Sequence, residues 1–257
     1  MVFSILSAKG ALVCAAFFLT GLVDAVCGGG GLISIPVLMM TGIPPHTVIG
    51  TNQSVAGAGL LASFLKYRKT GYIYWPVALS AAPTVLLGAV LGAQMNLMVP
   101  ERILQIILII LVPVVAIVVL TNRDFGTENR IETLSKQQRV LRAMIIGLIV
   151  GIYQGFYGAG SGTFMILALT MFLRQDLVQA SGTAKFMLLI ALIAGAVTYI
   201  TSGNVIWKVA IPGMIFNAAG GYCGAMMAVR KGETIIRPMF IGILILLVIK
   251  TIADLLP

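Results

Sequence analysis

Charge is what this chain has least of. Lysine, arginine, aspartate and glutamate make up 10% of its 257 residues, while 59% are hydrophobic and the mean hydropathy is +1.05. A soluble domain of this length needs far more charge to cover its surface, so lipid takes the place of water as the main solvent. Acids are scarcest, 8 against 17 basic residues. The net charge of +9 does not indicate nucleic acid, because the basic residues form short clusters between apolar runs, as Lys66, Arg68, Lys69 and Arg230, Lys231 do. That is the pattern of positive-inside membrane orientation. The one histidine, His46, has no sequence-level partner for metal or catalysis and reads as a loop residue near the headgroups. Cys14, Cys27 and Cys223 have neither metal-ligand spacing nor a disulfide framework, and read as small packing residues. With no His cluster, no paired acids and no nucleophile beside a base, an enzyme is the weakest reading, and neither metal nor cofactor is expected.

What is abundant is apolar sequence and glycine. Twenty-nine glycines sit largely inside apolar segments, where membrane helices tolerate them because they let backbones approach closely. About eight hydrophobic helical segments are expected: 11–27 with an extension to 40, 48–66, 76–99, 103–121, 143–157 with an extension to 173, 178–201, 207–229 and 235–253. Most are near the ~20 residues needed to cross the hydrocarbon core. The only long polar stretch, 122–142, reads as a solvated, cytoplasmic linker. Lys9 and the apolar run after it resemble a signal peptide, but the same stretch recurs internally, which argues against removal.

The two sides of the linker match each other. At an offset of 130, Gly21, Gly28 and Gly30 match Gly151, Gly158 and Gly160. At an offset of 132, Gly50-Thr51 matches Gly182-Thr183, Gly71 matches Gly203, Trp75 matches Trp207, Gly88 and Gly92 match Gly220 and Gly224, and Glu101 matches Glu233. Such a register indicates duplication: a first membrane repeat over 1–121, the linker 122–142, and a second repeat over 143–257. The Gly-x-x-x-Gly pairs suit close helix packing, and the tryptophans suit interfacial anchoring.

The opening segment of each repeat carries the chemistry. Ala11 to Met40 is apolar for thirty residues, about 45 Å as a helix, too long for one straight crossing. It must break at Gly28, Gly29, Gly30 and Gly31, and the second copy at Gly158, Gly160 and Gly162. A glycine break inside a bilayer frees backbone polar groups, which implies a polar cavity. A half-helix starting after each break would aim its N–H groups and positive dipole end into that cavity, an anion site without a dedicated cation. Ser161 and Thr163 would add hydroxyl donors. A tight packing turn is the plainer reading, and a nucleotide-binding glycine fingerprint fails for want of a βαβ unit. The following segments open with Thr51, Asn52 and Gln53 in one half and Thr183 and Lys185 in the other. An ammonium inside an apolar helix is expensive unless paired, hydrated, snorkelling or met by an anionic substrate; Lys185 is expected to face the cavity. Asp24 is the one acid deep in a first-half segment, matched by neutral Gln154, and is either a coupling-proton site or a paired structural acid.

Taken together, GLVDAVCGGGGLISIPVLMMTGIPPHTVIGTNQSVAG and GIYQGFYGAGSGTFMILALT, followed by SGTAKF and GNVIW, resemble the sulfite exporter TauE/SafE family of transporters. The resemblance covers both halves. It implies movement of sulfite, sulfonates or related sulfur anions without ATP hydrolysis by this chain, with Gly28 to Gly31, Pro36, Thr51, Gly158, Gly160, Gly162 and Thr183 in motif positions.

The resulting expectation is an all-α integral membrane protein of two four-segment halves, multi-pass in the bacterial inner membrane. Its partners are a small anionic substrate and membrane lipid, not nucleic acid, with a homodimer an open option. A secondary transporter is preferred to an anion channel of similar architecture. If each broken segment crosses once the halves are parallel; if it forms a re-entrant hairpin they are inverted. Counting basic residues does not separate the two, and inversion is favoured because alternating access uses mirrored halves around a midplane site.

Overall fold

The computed structural model describes residues 8–98, 100, 126, 128–239, 241, 242 and 245. The expected segment 103–121, the Glu101 end of the repeat match, part of the linker and most of 235–253 lie outside the described residues. Among those described, every regular element is helical: α1 (Ala8–Val26), α2 (Gly31–Met39), α3 (Pro45–Lys69), α4 (Trp75–Met98), a 3-10 turn (Ile131–Thr133), α5 (Lys136–Phe156), α6 (Ser161–Leu173), α7 (Leu177–Thr201) and α8 (Trp207–Lys231). Helices α3, α4, α5 and α7 are each long and apolar enough to cross a membrane, while α6 and the Gly10–Val26 part of α1 are shorter apolar helices.

Local chemistry sets the boundaries. The breaks fall where glycine makes a left-handed backbone cheap: Gly28 and Gly29 have φ of 74° and 95°, Gly158 and Gly160 of 82° and 78°. Pro45 opens α3 at its first position, where a missing N–H costs nothing. Helix α5 begins at Lys136 rather than at 143, because Ser135 and Gln138 form a capping box ahead of the apolar run. Asp176 starts α7 by accepting from the Val178 and Gln179 N–H groups.

Glycine also sets the packing. A Cβ on Gly88 would lie 2.6 Å from the Leu148 carbonyl oxygen, and one on Gly92 would overlap that of Ile152, so α4 and α5 touch backbone to backbone. Gly220 and Gly224 bring α8 onto Phe18 and Leu22 of α1 in the same way. Close approach replaces the hydrophobic drive that lipid cannot supply between helices.

Two expectations change. The described part of the linker is not freely solvated. Ile131 and Leu134 are buried, Arg139 pairs with Glu132 at 2.6 Å and donates to the Tyr74 hydroxyl at 2.6 Å, and Arg174 donates to Thr133. Arg139 from within the linker and Arg174 from the end of α6 thus clamp it across the helix ends. His46 is not merely a headgroup residue either. Its Nδ1 lies 3.0 Å from Asn96 Oδ1, and Asn96 Nδ2 donates to the Phe156 carbonyl at 2.6 Å.

Candidate functional site

The two glycine breaks meet each other. A Cβ on Gly162 would lie 2.7 Å from Gly28 Cα, and one on Gly31 would lie 3.0 Å from Ala159 Cα. Thr163 Oγ1 donates to the Cys27 carbonyl at 3.2 Å across the junction. Glycines at Gly28, Gly31 and Gly162 let the two turns touch this closely. Beside the junction is a cavity of about 30 Å³. Gly28, Gly31, Gly158 and Gly162 line it with Asp24, Asn52, Gln154 and Ser161, and Ala56, Leu60, Leu188 and Leu192 form an apolar wall.

Hydrogen bonding orients the polar groups. Ser34 Oγ donates to Asn52 Oδ1 at 2.6 Å, and Ser161 Oγ donates to Gln154 Oε1. Both amide oxygens are therefore committed, and both amide nitrogens remain as donors beside the cavity. In the first turns of α2 and α6 the Leu32, Ile33 and Ser161 N–H groups are held by the Gly29, Gly30 and Gly158 carbonyls, so Gly31, Gly162 and Thr163 supply the N–H groups that a helix start leaves over. Asp24 opposes this donor set, its Oδ1 accepting from Gly30 N–H at 2.6 Å.

The other expected site residues support this arrangement from behind. Lys185 is fully buried, and its Nζ donates to the backbone carbonyl of Asp24 at 2.5 Å. It neither snorkels nor lines the cavity, because its ammonium is held by that carbonyl near the end of α1, where a helix leaves acceptors over. Gln53 repeats the arrangement from the other half, with Nε2 donating to the carbonyls of Gln154 and Gly155 at 3.1 and 3.2 Å. Thr51 and Thr183 are turned away as well: Thr51 Oγ1 accepts from Ile206 N–H at 3.0 Å and Thr183 Oγ1 from Tyr74 N–H at 3.1 Å, satisfying backbone donors where α8 and α4 begin. Gly29, Gly30 and Gly160 shape the turns without lining the cavity. Gly30 is pressed against the Thr20 carbonyl and the Asp24 carboxyl group, where any side chain would clash. Gln154 was not among the expected ligands, although its repeat match to Asp24 pointed to it. Nothing in the sequence singled out Ala56, Leu60, Leu188 and Leu192, apolar residues in apolar helices. No group of three His, Cys, Asp or Glu able to hold a metal occurs among the described residues.

The family model for sulfite exporter TauE/SafE matches residues 13–251. The chain belongs to this family. Its TauE/SafE relatives include a probable membrane transporter protein of Haemophilus influenzae, 31% identical over 237 residues and covering 92% of each chain. Two others are the probable membrane transporter proteins YfcA of Escherichia coli K12, 28% identical over 92% of this chain and 87% of the relative, and YdhB of Bacillus subtilis, 25% identical over 91% and 99%. No solved structure matches the chain. This TauE/SafE protein is a multi-pass membrane protein of a transporter family.

Proposed function

We propose that this protein is a secondary transporter moving a small sulfur-containing anion, such as sulfite or a sulfonate, across the bacterial inner membrane, and that it is not an enzyme. The observation that carries this reading is the junction of the two glycine turns, with the amide donors of Asn52 and Gln154 beside one cavity. The donors suit an oxyanion. Gly28, Gly31, Gly158, Gly162, Asn52, Gln154 and Ser161 would form its site, with Lys185 supplying positive charge from behind. A transporter is preferred to a channel because mirrored halves around one midplane site suit alternating access.

Contact registers support division into 1–121, 122–142 and 143–257 with the halves inverted. Phe18 and Leu22 meet Gly220 and Gly224, while Gly213 and Gly221 meet Val55 and Gly59, so α1, α3 and α8 run alongside in one direction. Leu148 and Ile152 meet Gly88 and Gly92, so α5 follows α4, and the short 70–74 connection turns α4 back on α3. Corresponding helices α1 and α5 then point in opposite directions, as alternating access by mirrored halves requires.

Proteoliposomes offered labelled sulfite, thiosulfate, sulfate and a small sulfonate test this reading. Saturable uptake of at least one sulfur oxyanion or sulfonate is expected. Absence of saturable uptake for all four would overturn it, and electrogenic flux without saturation would identify a channel.

A further inference from the structure

The carboxylate beside the cavity occupies the place an anion would take. Asp24 Oδ1 holds the Gly30 N–H at 2.6 Å, on the turn that leads into α2. A side chain that lines the cavity thus occupies a backbone donor on the turn between Gly28 and Gly31, both of which line it. The matching corner of the second half is uncharged, since Gln154 stands there and accepts from Ser161. The supporting residues differ in the same sense. Lys185 is bound to the carbonyl of Asp24, and Gln53, in the same way, to the carbonyl of Gln154. One corner carries a carboxylate and an ammonium, the other two amides.

We infer that Asp24 is a tethered anion that competes with the transported one, so that substrate binds when Asp24 is protonated and one proton travels with each anion. The inference rests on the anion-transport reading above. Two negative charges cannot both occupy so small a space, walled on one side by Leu60, Leu188 and Leu192, because like charges in a poorly solvated site strongly disfavour joint ionisation. The carboxylate takes a proton from water on the open side and becomes a weak acceptor. The incoming anion then takes the Gly30 N–H, and the charge of Lys185 has no carboxylate to balance it. On the other side the anion leaves, the proton follows, and the carboxylate returns to Gly30. The titratable groups around Asp24 are Lys185 of α7, Cys27 in the same turn and Tyr67 of α3, whose hydroxyl donates to the Ala25 carbonyl. All three ordinarily titrate above a carboxylate. Helix α2 has no titratable side chain, and on α8, whose Gly224 meets Leu22 and Ala25, the titratable neighbours are half-buried Cys223 and exposed Tyr222.

The test uses methanesulfonate, which stays ionised throughout, binding to the purified protein in detergent across a pH series. It is joined by proteoliposome uptake with and without a proton gradient. Wild-type affinity is expected to fall as pH rises, approaching about tenfold per pH unit once Asp24 ionises. Asp24→Asn should bind with the affinity the wild type reaches at acid pH, show no pH slope, and exchange anion across the membrane without accumulating it under a proton gradient. Asp24→Glu should restore the slope. The inference is overturned if folded Asp24→Asn keeps the slope, still accumulates anion, or loses binding altogether. A wild type that transports with no pH dependence overturns the inference alone. A wild type that neither binds nor transports any sulfur anion at any pH overturns the transport reading with it.

Discussion

Among the described residues Lys185 is the charged side chain that is fully buried, and burying it is costly. A fully buried ammonium, with a backbone carbonyl as its hydrogen-bond acceptor, survives within an apolar helix only if its charge is used. Gln53 makes the equivalent contact in the other half, so Lys185→Gln should fold while removing the charge. The charge acts on the anion through space rather than by contact; at an effective dielectric of about 20 and a separation on the order of 10 Å it contributes about 1.5 kcal/mol, so apparent anion affinity is expected to fall about tenfold. Lys185→Arg should keep part of the function, because charge survives while geometry changes. Unchanged affinity in purified Lys185→Gln would remove the residue from the account. The threonines make the opposite case. Their hydroxyls accept from backbone N–H groups of the other half, so Thr51→Ala and Thr183→Ala should each cost about 1 kcal/mol of stability and leave the substrate constant near wild type. Thermal unfolding in detergent and uptake kinetics check both. A raised substrate constant with unaltered stability would make them ligands.

At the scale of elements, the paired glycine turns are the feature without slack. Gly162 lies in the first turn of α6 with ordinary helical backbone, so Gly162→Ala adds no conformational strain, only a methyl 2.7 Å from Gly28 Cα. Overpacking of this kind costs about 1–3 kcal/mol. The variant should therefore remain folded while the turns are forced apart and transport falls. Gly57 in α3 has nothing within 4 Å of a would-be Cβ, so Gly57→Ala serves as the control and should transport normally. Wild-type uptake by Gly162→Ala would show that the junction can loosen without consequence. These turns were legible in the sequence because a glycine run inside an apolar stretch contradicts helix propensity, as were the close-packing roles of Gly88, Gly92, Gly220 and Gly224. The roles of Thr51, Thr183 and Lys185 were not. Their partners, Ile206, Tyr74 and Asp24, are supplied by the opposite half, and no local pattern records them. The anchoring of the linker was hidden for the same reason, since Arg139 reads as surface charge until Tyr74 is brought beside it.

For the whole molecule, the basic clusters gather on one face. Lys69 ends α3 and Lys136 begins α5 there, joined through Tyr74 and Arg139, while Met40 and Ser202 lie exposed at the opposite face. Positive-inside orientation predicts that the first face is cytoplasmic. In a background without the native cysteines, Met40→Cys and Ser202→Cys should react with an impermeant thiol reagent in intact cells. Lys69→Cys and Lys136→Cys should react only after permeabilisation, and the reverse pattern would invert the topology. Alternating access makes a stronger demand, that the same site faces each side in turn and carries anion both ways. Counterflow tests this most directly: proteoliposomes loaded with unlabelled sulfonate are diluted into a trace of labelled sulfonate, with no ion gradient applied. The account predicts transient, saturable accumulation of label inside above the outside concentration, abolished in Gly162→Ala; label that only equilibrates, with flux rising linearly with concentration, would contradict it.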